Sequence, residues 1–234
     1  MKILFDTSVL VARSFVWHAS RETVRPWFDR ARRGELELFL SLHSLAETYN
    51  ALGSLKASAG KSAEAEALYR DALKRNPSLL PARHNLALLL LGLKGRRKEA
   101  EDLWRANLSQ SPDYLPSRLS LAEALAGEGD ASAAIEQYRA VLKLRPDYIA
   151  ARLALAGLMS DPSAALGELR QALGSEPDNI VILERIGDAE RAAGRNAEAA
   201  EAYQAALART RDSSDRKRLG AKLKARRPPG VPRM

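Results

Sequence analysis

The sequence of 234 residues predicts a mainly α-helical protein of five helix-turn-helix repeats, preceded by a small α/β segment with two parallel strands. Three observations lead to this prediction. A pattern of small and large residues recurs with a period of about 34 residues. The first fifty residues instead follow an order of strand, two helices and strand. The last 26 residues carry a formal net charge of +8, equal to that of the whole chain.

Composition excludes several classes of protein. With 46% hydrophobic and 28% charged residues the chain is globular, and no apolar run approaches the roughly 20 residues that cross a bilayer, so no membrane partner is expected. Asp6 interrupts the N-terminus before a signal-peptide core could form, which predicts a cytoplasmic location. The absence of cysteine excludes disulfides, thiolate zinc sites and cysteine nucleophiles.

The chain opens with a short apolar run, Ile3-Leu4-Phe5, that predicts a strand. Helices are predicted from Val9 onward and over Val24–Arg33, followed by a second strand over Glu35–Ser41. Strands joined through helices pair in parallel. Because two strands leave open edges, pairing of residues 2–5 with a second copy, giving a homodimer, is a hypothesis.

The run from Ile3 to Leu10, followed by Ser44-Leu45-Ala46-Glu47, resembles the start of a PIN domain, the nuclease fold of many bacterial toxins. The resemblance implies that Asp6 and Glu47 help to hold Mg²⁺ or Mn²⁺, ions that activate water against RNA. The family needs further acidic residues, but here the repeats have already begun. Residues 1–45 are therefore interpreted as a truncated PIN-like segment, and a metal-dependent ribonuclease is the alternative function.

A purely structural interpretation of the same two carboxylates competes with the nuclease. Asp6 would cap the helix that starts near Val9, and Glu47 would lie in the first turn of a repeat helix, where negative charge is favourable. This interpretation is preferred, because two carboxylates are too few for the metal site. It predicts a protein with no catalytic residues, no metal and no cofactor.

The repeats share three columns of residues. The first helix of each copy carries a large aliphatic residue followed by a small one: Leu52-Gly53, Leu86-Ala87, Leu121-Ala122, Leu155-Ala156 and Ile186-Gly187. The second helix carries an alanine followed four residues later by a large side chain: Tyr69, Trp104, Tyr138, Leu169 and Tyr203. Four copies close with a proline, at positions 77, 112, 146 and 177. The small residues allow close helix packing, and each proline ends one unit. The residue after each proline is expected to cap the next helix.

These columns resemble the tetratricopeptide repeat (TPR) family over residues 46–211. The resemblance implies an α-solenoid with a concave groove lined by the first helices. The predicted repeats span residues 46–79, 80–114, 115–148, 149–179 and 180–212, followed by a basic capping helix over 213–225 and a disordered tail over 226–234. The fourth copy lacks three residues around Ser160-Asp161-Pro162, so a local irregularity is expected there.

The sequence thus predicts a non-catalytic scaffold that binds a protein or peptide in the concave groove. Mapping the family's groove positions onto this chain predicts the following partner-binding residues: Asn50, Ser54, His84, Leu88, Leu91, Leu119, Glu123, Leu153, Glu184, Asp188 and Arg191. Leu88, Leu119 and Leu153 have a competing role in packing between helices. The positive charge lies in the tail, without interleaved aromatic residues, which argues against nucleic acid as a partner.

Overall fold

The computed structural model describes residues 2–4, 26, 29–30, 33, 37–39 and 42–225. Asp6, the helix predicted from Val9, most of the helix predicted over Val24–Arg33 and the tail predicted over residues 226–234 lie outside the described residues.

Two short strands, β1 (Lys2–Leu4) and β2 (Glu37–Phe39), pair in parallel. Ile3 stands opposite Leu38 in this pairing. Three residues per strand are a local feature, and they do not establish the nuclease-like fold.

Eleven helices lie among the described residues, and ten of them form five consecutive pairs. They are α1 (Leu42–Ser58), α2 (Ser62–Arg75), α3 (Leu80–Leu91), α4 (Arg97–Gln110), α5 (Leu115–Glu128), α6 (Ala131–Leu144), α7 (Ile149–Leu158), α8 (Pro162–Ser175), α9 (Ile180–Ala192), α10 (Asn196–Arg209) and α11 (Ser213–Lys224). None of these described helices combines the length and the apolar character that a bilayer-spanning helix requires.

The chain divides into two compact units, residues 1–120 and 121–234, with the boundary inside α5. In the first unit, Ala46, Ala72, Leu79 and Ala82 form a buried cluster. In the second unit, one cluster joins α7, α8 and α9 with Ala202 of α10, and another joins α9, α10 and α11 around the fully buried Leu219. Each unit therefore has its own apolar core.

The small residue of a first helix receives the ring of the second helix in the same repeat. A Cβ atom on Gly53 would lie 2.7 Å from Cε1 of Tyr69, and one on Gly187 would lie 2.5 Å from Cε1 of Tyr203. Both rings are buried. At these two positions even a methyl group would overlap the ring, so any larger residue would force the ring to move.

The turns between paired helices depend on glycine in four repeats, where Gly60, Gly95, Gly129 and Gly194 have φ between 74° and 84°. The fourth repeat uses a different turn. There the carboxylate of Asp161 accepts hydrogen bonds from the backbone N–H groups of Ser163 (2.9 Å) and Ala164 (3.2 Å), and Pro162 begins α8. The preceding helix, α7, has only 10 residues.

The predicted helix caps are wrong by one residue. The residues that begin α3, α7 and α9 as N-caps are Leu79, Tyr148 and Asn179, each two residues after the closing proline. Only Asn179 among these three caps with its side chain, accepting from the N–H groups of Val181 and Ile182. Three of the prolines contact the next helix through their carbonyl oxygens. These oxygens, of Pro77, Pro112 and Pro146, accept hydrogen bonds from Arg83, Arg118 and Arg152 respectively.

Candidate functional site

The predicted groove residues fall into two sets, one in each unit. The first set lies on α1, α3 and the start of α5: Asn50, Ser54, His84, Leu88, Leu91 and Leu119. The second set lies on the rest of α5, α7 and α9: Glu123, Leu153, Glu184, Asp188 and Arg191.

A polar cluster joins α1 to α3 in the first unit. The Asn85 amide Nδ2 donates to Oδ1 of Asn50 over 2.9 Å and to Oγ of Ser54 over 3.3 Å. Ser54 in turn accepts from the hydroxyl of Tyr69 over 3.2 Å. Asn85 is absent from the predicted groove set, although it lies beside His84 on α3. Burial raises the pKa of Tyr69, so this hydroxyl stays a donor at neutral pH.

A cavity of about 370 Å³ lies beside this cluster. Its walls are Ser54, Ala57, Tyr69, Asn85, Leu88 and Leu89. Leu88 is 45% exposed, so an apolar side chain of high exposure stands next to hydroxyl and amide groups. This combination can hold an apolar side chain and hydrogen-bond the polar backbone attached to it.

His84 turns away from this cluster and packs between repeats. Its ring centroid lies 6.4 Å from that of Trp104 and 6.1 Å from that of Tyr114. Its Nδ1 atom is 3.4 Å from Oγ of the fully buried Ser117. Burial lowers the pKa of His84, and the neutral ring is therefore favoured in this position. Leu91 and Leu119 are half-buried.

In the second unit, α11 engages three of the predicted groove residues. Arg218 pairs with Glu184 over 2.8 Å, Lys222 pairs with Asp188 over 2.6 Å, and Arg191 donates to the backbone carbonyl of Lys222. Hydrogen bonding to Arg218 lowers the pKa of Glu184. Burial alone would lower the pKa of Lys222, but its hydrogen bonds to Asp188 and Glu184 raise it.

Tyr203 links α10 to the same cluster. Its hydroxyl donates to Oδ1 of Asp188 over 2.7 Å, and the guanidinium of Arg191 lies 4.8 Å from its ring centroid. Burial raises the pKa of Tyr203, and the hydrogen bond to Asp188 raises it further. Asp188 is thus held by both a cation and a buried hydroxyl.

The last two predicted residues of the second unit differ in exposure. Glu123 is exposed, and its charge adds to burial in raising the pKa of Tyr138. Leu153 is half-buried and packs against the cluster of α7, α8 and α9. Leu153 therefore contributes to packing.

Of the two predicted nuclease carboxylates, only Glu47 lies within the described residues. It stands inside α1, which begins four residues earlier than the predicted repeat and has no acidic residue in its first turn. The expected first-turn position of Glu47 is therefore wrong. Among the described residues, no three His, Asp or Glu side chains are grouped so that they could hold a metal ion.

Several solved structures resemble this one. A crystal structure of MamA is 19% identical, covers 79% of this chain and 98% of its own, and superposes with a TM-score of 0.64. YrrB, described as a TPR protein with an unusual peptide-binding site, is 17% identical, covers 75% and 92%, and gives a TM-score of 0.63. MamA from Desulfovibrio magneticus RS-1, residue 41 to the end, is 15% identical, covers 70% and 94%, and gives 0.63. At these identities the likeness establishes the fold.

Family models described as tetratricopeptide repeat match residues 46–79, 94–149 and 159–215, together more than half of the chain. No curated protein matches the chain at a significant level. The matches begin at residue 46 and give the PIN-like resemblance of the preceding residues no support. The predicted mainly α-helical repeat fold is confirmed, and the chain belongs to the tetratricopeptide repeat family.

Proposed function

We propose that this protein is a non-catalytic scaffold that binds a protein or an extended peptide on the first helices of its repeats. The observation that carries the proposal is the α1–α3 cluster of Asn50, Ser54 and Asn85 beside the exposed Leu88. The backbone of an extended peptide presents both N–H and C=O groups, and an asparagine amide offers a donor and an acceptor. Leu88 offers an apolar contact to a side chain of the same peptide.

The comparisons support this class of function over the nuclease. YrrB, similar in fold, is described as having a peptide-binding site. Glu47, one of the two carboxylates of the ribonuclease alternative, lies inside a segment that matches the repeat family. A helix that packs as a repeat accounts for Glu47 without a metal.

Selection from a random-peptide display library, followed by calorimetry, tests the proposal. Leu88→Glu places a charge where an apolar anchor would bind, and we expect it to weaken the selected peptide at least about tenfold, the scale of a binding hot spot. The matched control is Leu144→Glu. Leu144 is 42% exposed, close to the 45% of Leu88, but it lies on α6, the second helix of the third repeat, outside the proposed surface. Equal affinity of the Leu88→Glu variant and wild type would refute the proposed surface.

A further inference from the structure

A cavity of about 450 Å³ lies in the second unit between α7, α8 and α9. Its size is within the range of protein sites that bind small ligands or side chains. It adjoins the turn of the fourth repeat, where the chain lacks three residues relative to the family period. The α1–α3 cluster lies in the other unit, so this cavity is a separate feature.

Two substitutions within the repeat pattern open this cavity. Leu169 occupies the column in which the other four repeats carry an aromatic ring. The smaller side chain leaves room beside Ala156, the small residue that would face that ring. Gly157 stands two residues after Leu155, in the column that holds Ser54, Leu88, Glu123 and Asp188 elsewhere, so this column contributes no side chain at the cavity.

The interior of the cavity is apolar and one charge at its rim is uncompensated. Ala156, Ala165 and Leu169 are buried in its wall. Asp188 at the rim is already bound by Lys222 and by the hydroxyl of Tyr203. Arg185 is exposed and donates through Nη1 to the carbonyl of Leu153 over 2.9 Å, and it forms no salt bridge with a carboxylate within residues 42–225.

We propose that this cavity takes an aromatic side chain from an acidic peptide segment, whose carboxylate pairs with Arg185. The inference rests on the proposed scaffold function and names a partner for a second surface. The ring of the peptide occupies the room that Tyr138 or Tyr203 fills in the neighbouring repeats. The free cation of Arg185 selects for Asp or Glu beside that ring.

Fluorescence polarisation with a synthetic probe tests the assignment. The probe is a fluorescein-labelled peptide with one phenylalanine flanked by two aspartates in a glycine–serine background. Gly157→Leu adds an apolar side chain to the lining of the cavity, and its Cβ would meet only Nη1 of Arg185, at 3.9 Å. We expect this variant to weaken binding at least about tenfold, and replacement of the phenylalanine by alanine to do the same.

Matched variants distinguish the contribution of the ring to binding from that of the charge, and from any general effect of introducing a leucine. Gly167→Leu is the control, because Gly167 is exposed on α8, does not line the cavity and has no atom within 4 Å of an added Cβ. It should bind the probe like wild type. Arg185→Gln, or lysines in place of the probe's aspartates, should weaken binding about two- to fivefold, and salt should abolish that difference.

The outcomes distinguish this inference from the scaffold function on which it rests. The assignment is overturned by wild-type affinity in the Gly157→Leu variant, by equal binding of the alanine probe, or by no saturable binding of the phenylalanine probe. Loss of probe binding in Leu88→Glu but not in Gly157→Leu would support the scaffold and overturn the cavity. Loss in Gly157→Leu but not in Gly167→Leu supports the cavity.

Discussion

Gly187→Ala should destabilise the second unit, although alanine is the better helix former. The new Cβ would lie 2.5 Å from Cε1 and 2.8 Å from Cδ1 of Tyr203, against about 3.5–4.0 Å for an ordinary contact. Tyr203 is fully buried, so its ring can move only by disturbing its hydrogen bond to Asp188.

The expected magnitude follows from three contributions to the free energy of unfolding. The helix propensity of alanine adds about 1 kcal/mol of stability. Overpacking of the core removes about 1–3 kcal/mol, and loss of a hydrogen bond to a carboxylate removes about 1.5–3 kcal/mol. The net loss is about 1.5–5 kcal/mol.

Urea denaturation followed by far-UV circular dichroism measures this loss, with Gly167→Ala as the matched control. An added Cβ at Gly167 meets nothing within 4 Å, so this variant should gain about 1 kcal/mol. The two midpoints should therefore move in opposite directions at unchanged slope. A Gly187→Ala midpoint at or above that of Gly167→Ala would refute the role assigned to the glycine column.

Three further predictions concern pH, RNA and self-association. Burial lowers the pKa of His84 below its ordinary value of 6.5, so the unfolded state binds the proton more readily. The stability of the fold should therefore decrease as the pH drops below about 6.5. In the His84→Asn variant, the urea midpoint should depend less on pH between 7 and 5. We expect no RNA cleavage with Mg²⁺ or Mn²⁺ from wild type, Asp6→Asn or Glu47→Gln, and cleavage by wild type alone would restore the ribonuclease alternative. If residues 2–5 pair with a second copy, the full chain should scatter light as a dimer and a variant lacking residues 1–41 as a monomer, whereas the same number of subunits in both would contradict the homodimer.

The repeat architecture could be predicted because it depends on steric columns that recur along the chain. The pairing of Gly53 with Tyr69 and of Gly187 with Tyr203 is local to one repeat, and the sequence shows both members. Second helices begin at 62, 97, 131, 162 and 196, and these intervals of 35, 34, 31 and 34 residues equal those of the alanine column. The short third interval, of 31 residues, marks the fourth repeat, where an irregularity was expected and which the cavity adjoins.

The groove was less predictable because the direction of each side chain decides whether a residue lines the groove or packs between helices. His84 and Asn85 are neighbours on α3, yet His84 packs against Trp104 while Asn85 reaches Asn50 on α1. Assigning groove residues from their position in the repeat cannot distinguish two neighbours whose side chains contact different helices. The contact of Arg218 with Glu184 joins residues 34 positions apart, and the sequence pattern contains no signal for that partner.

In the fifth repeat, α11 engages the charged side chains of α9 that the sequence predicted for the groove. Arg218 and Lys222 neutralise Glu184 and Asp188, but half-exposed ion pairs contribute little to stability. The attachment of α11 depends instead on Leu219, whose complete burial is worth about 1.5–3 kcal/mol. The ion pairs therefore set the register of a helix that an apolar side chain holds in place. Because Asp188 is engaged in this way, Arg185 is left as a charged group at the cavity that no carboxylate within residues 42–225 neutralises, as the proposed pairing with an acidic peptide requires.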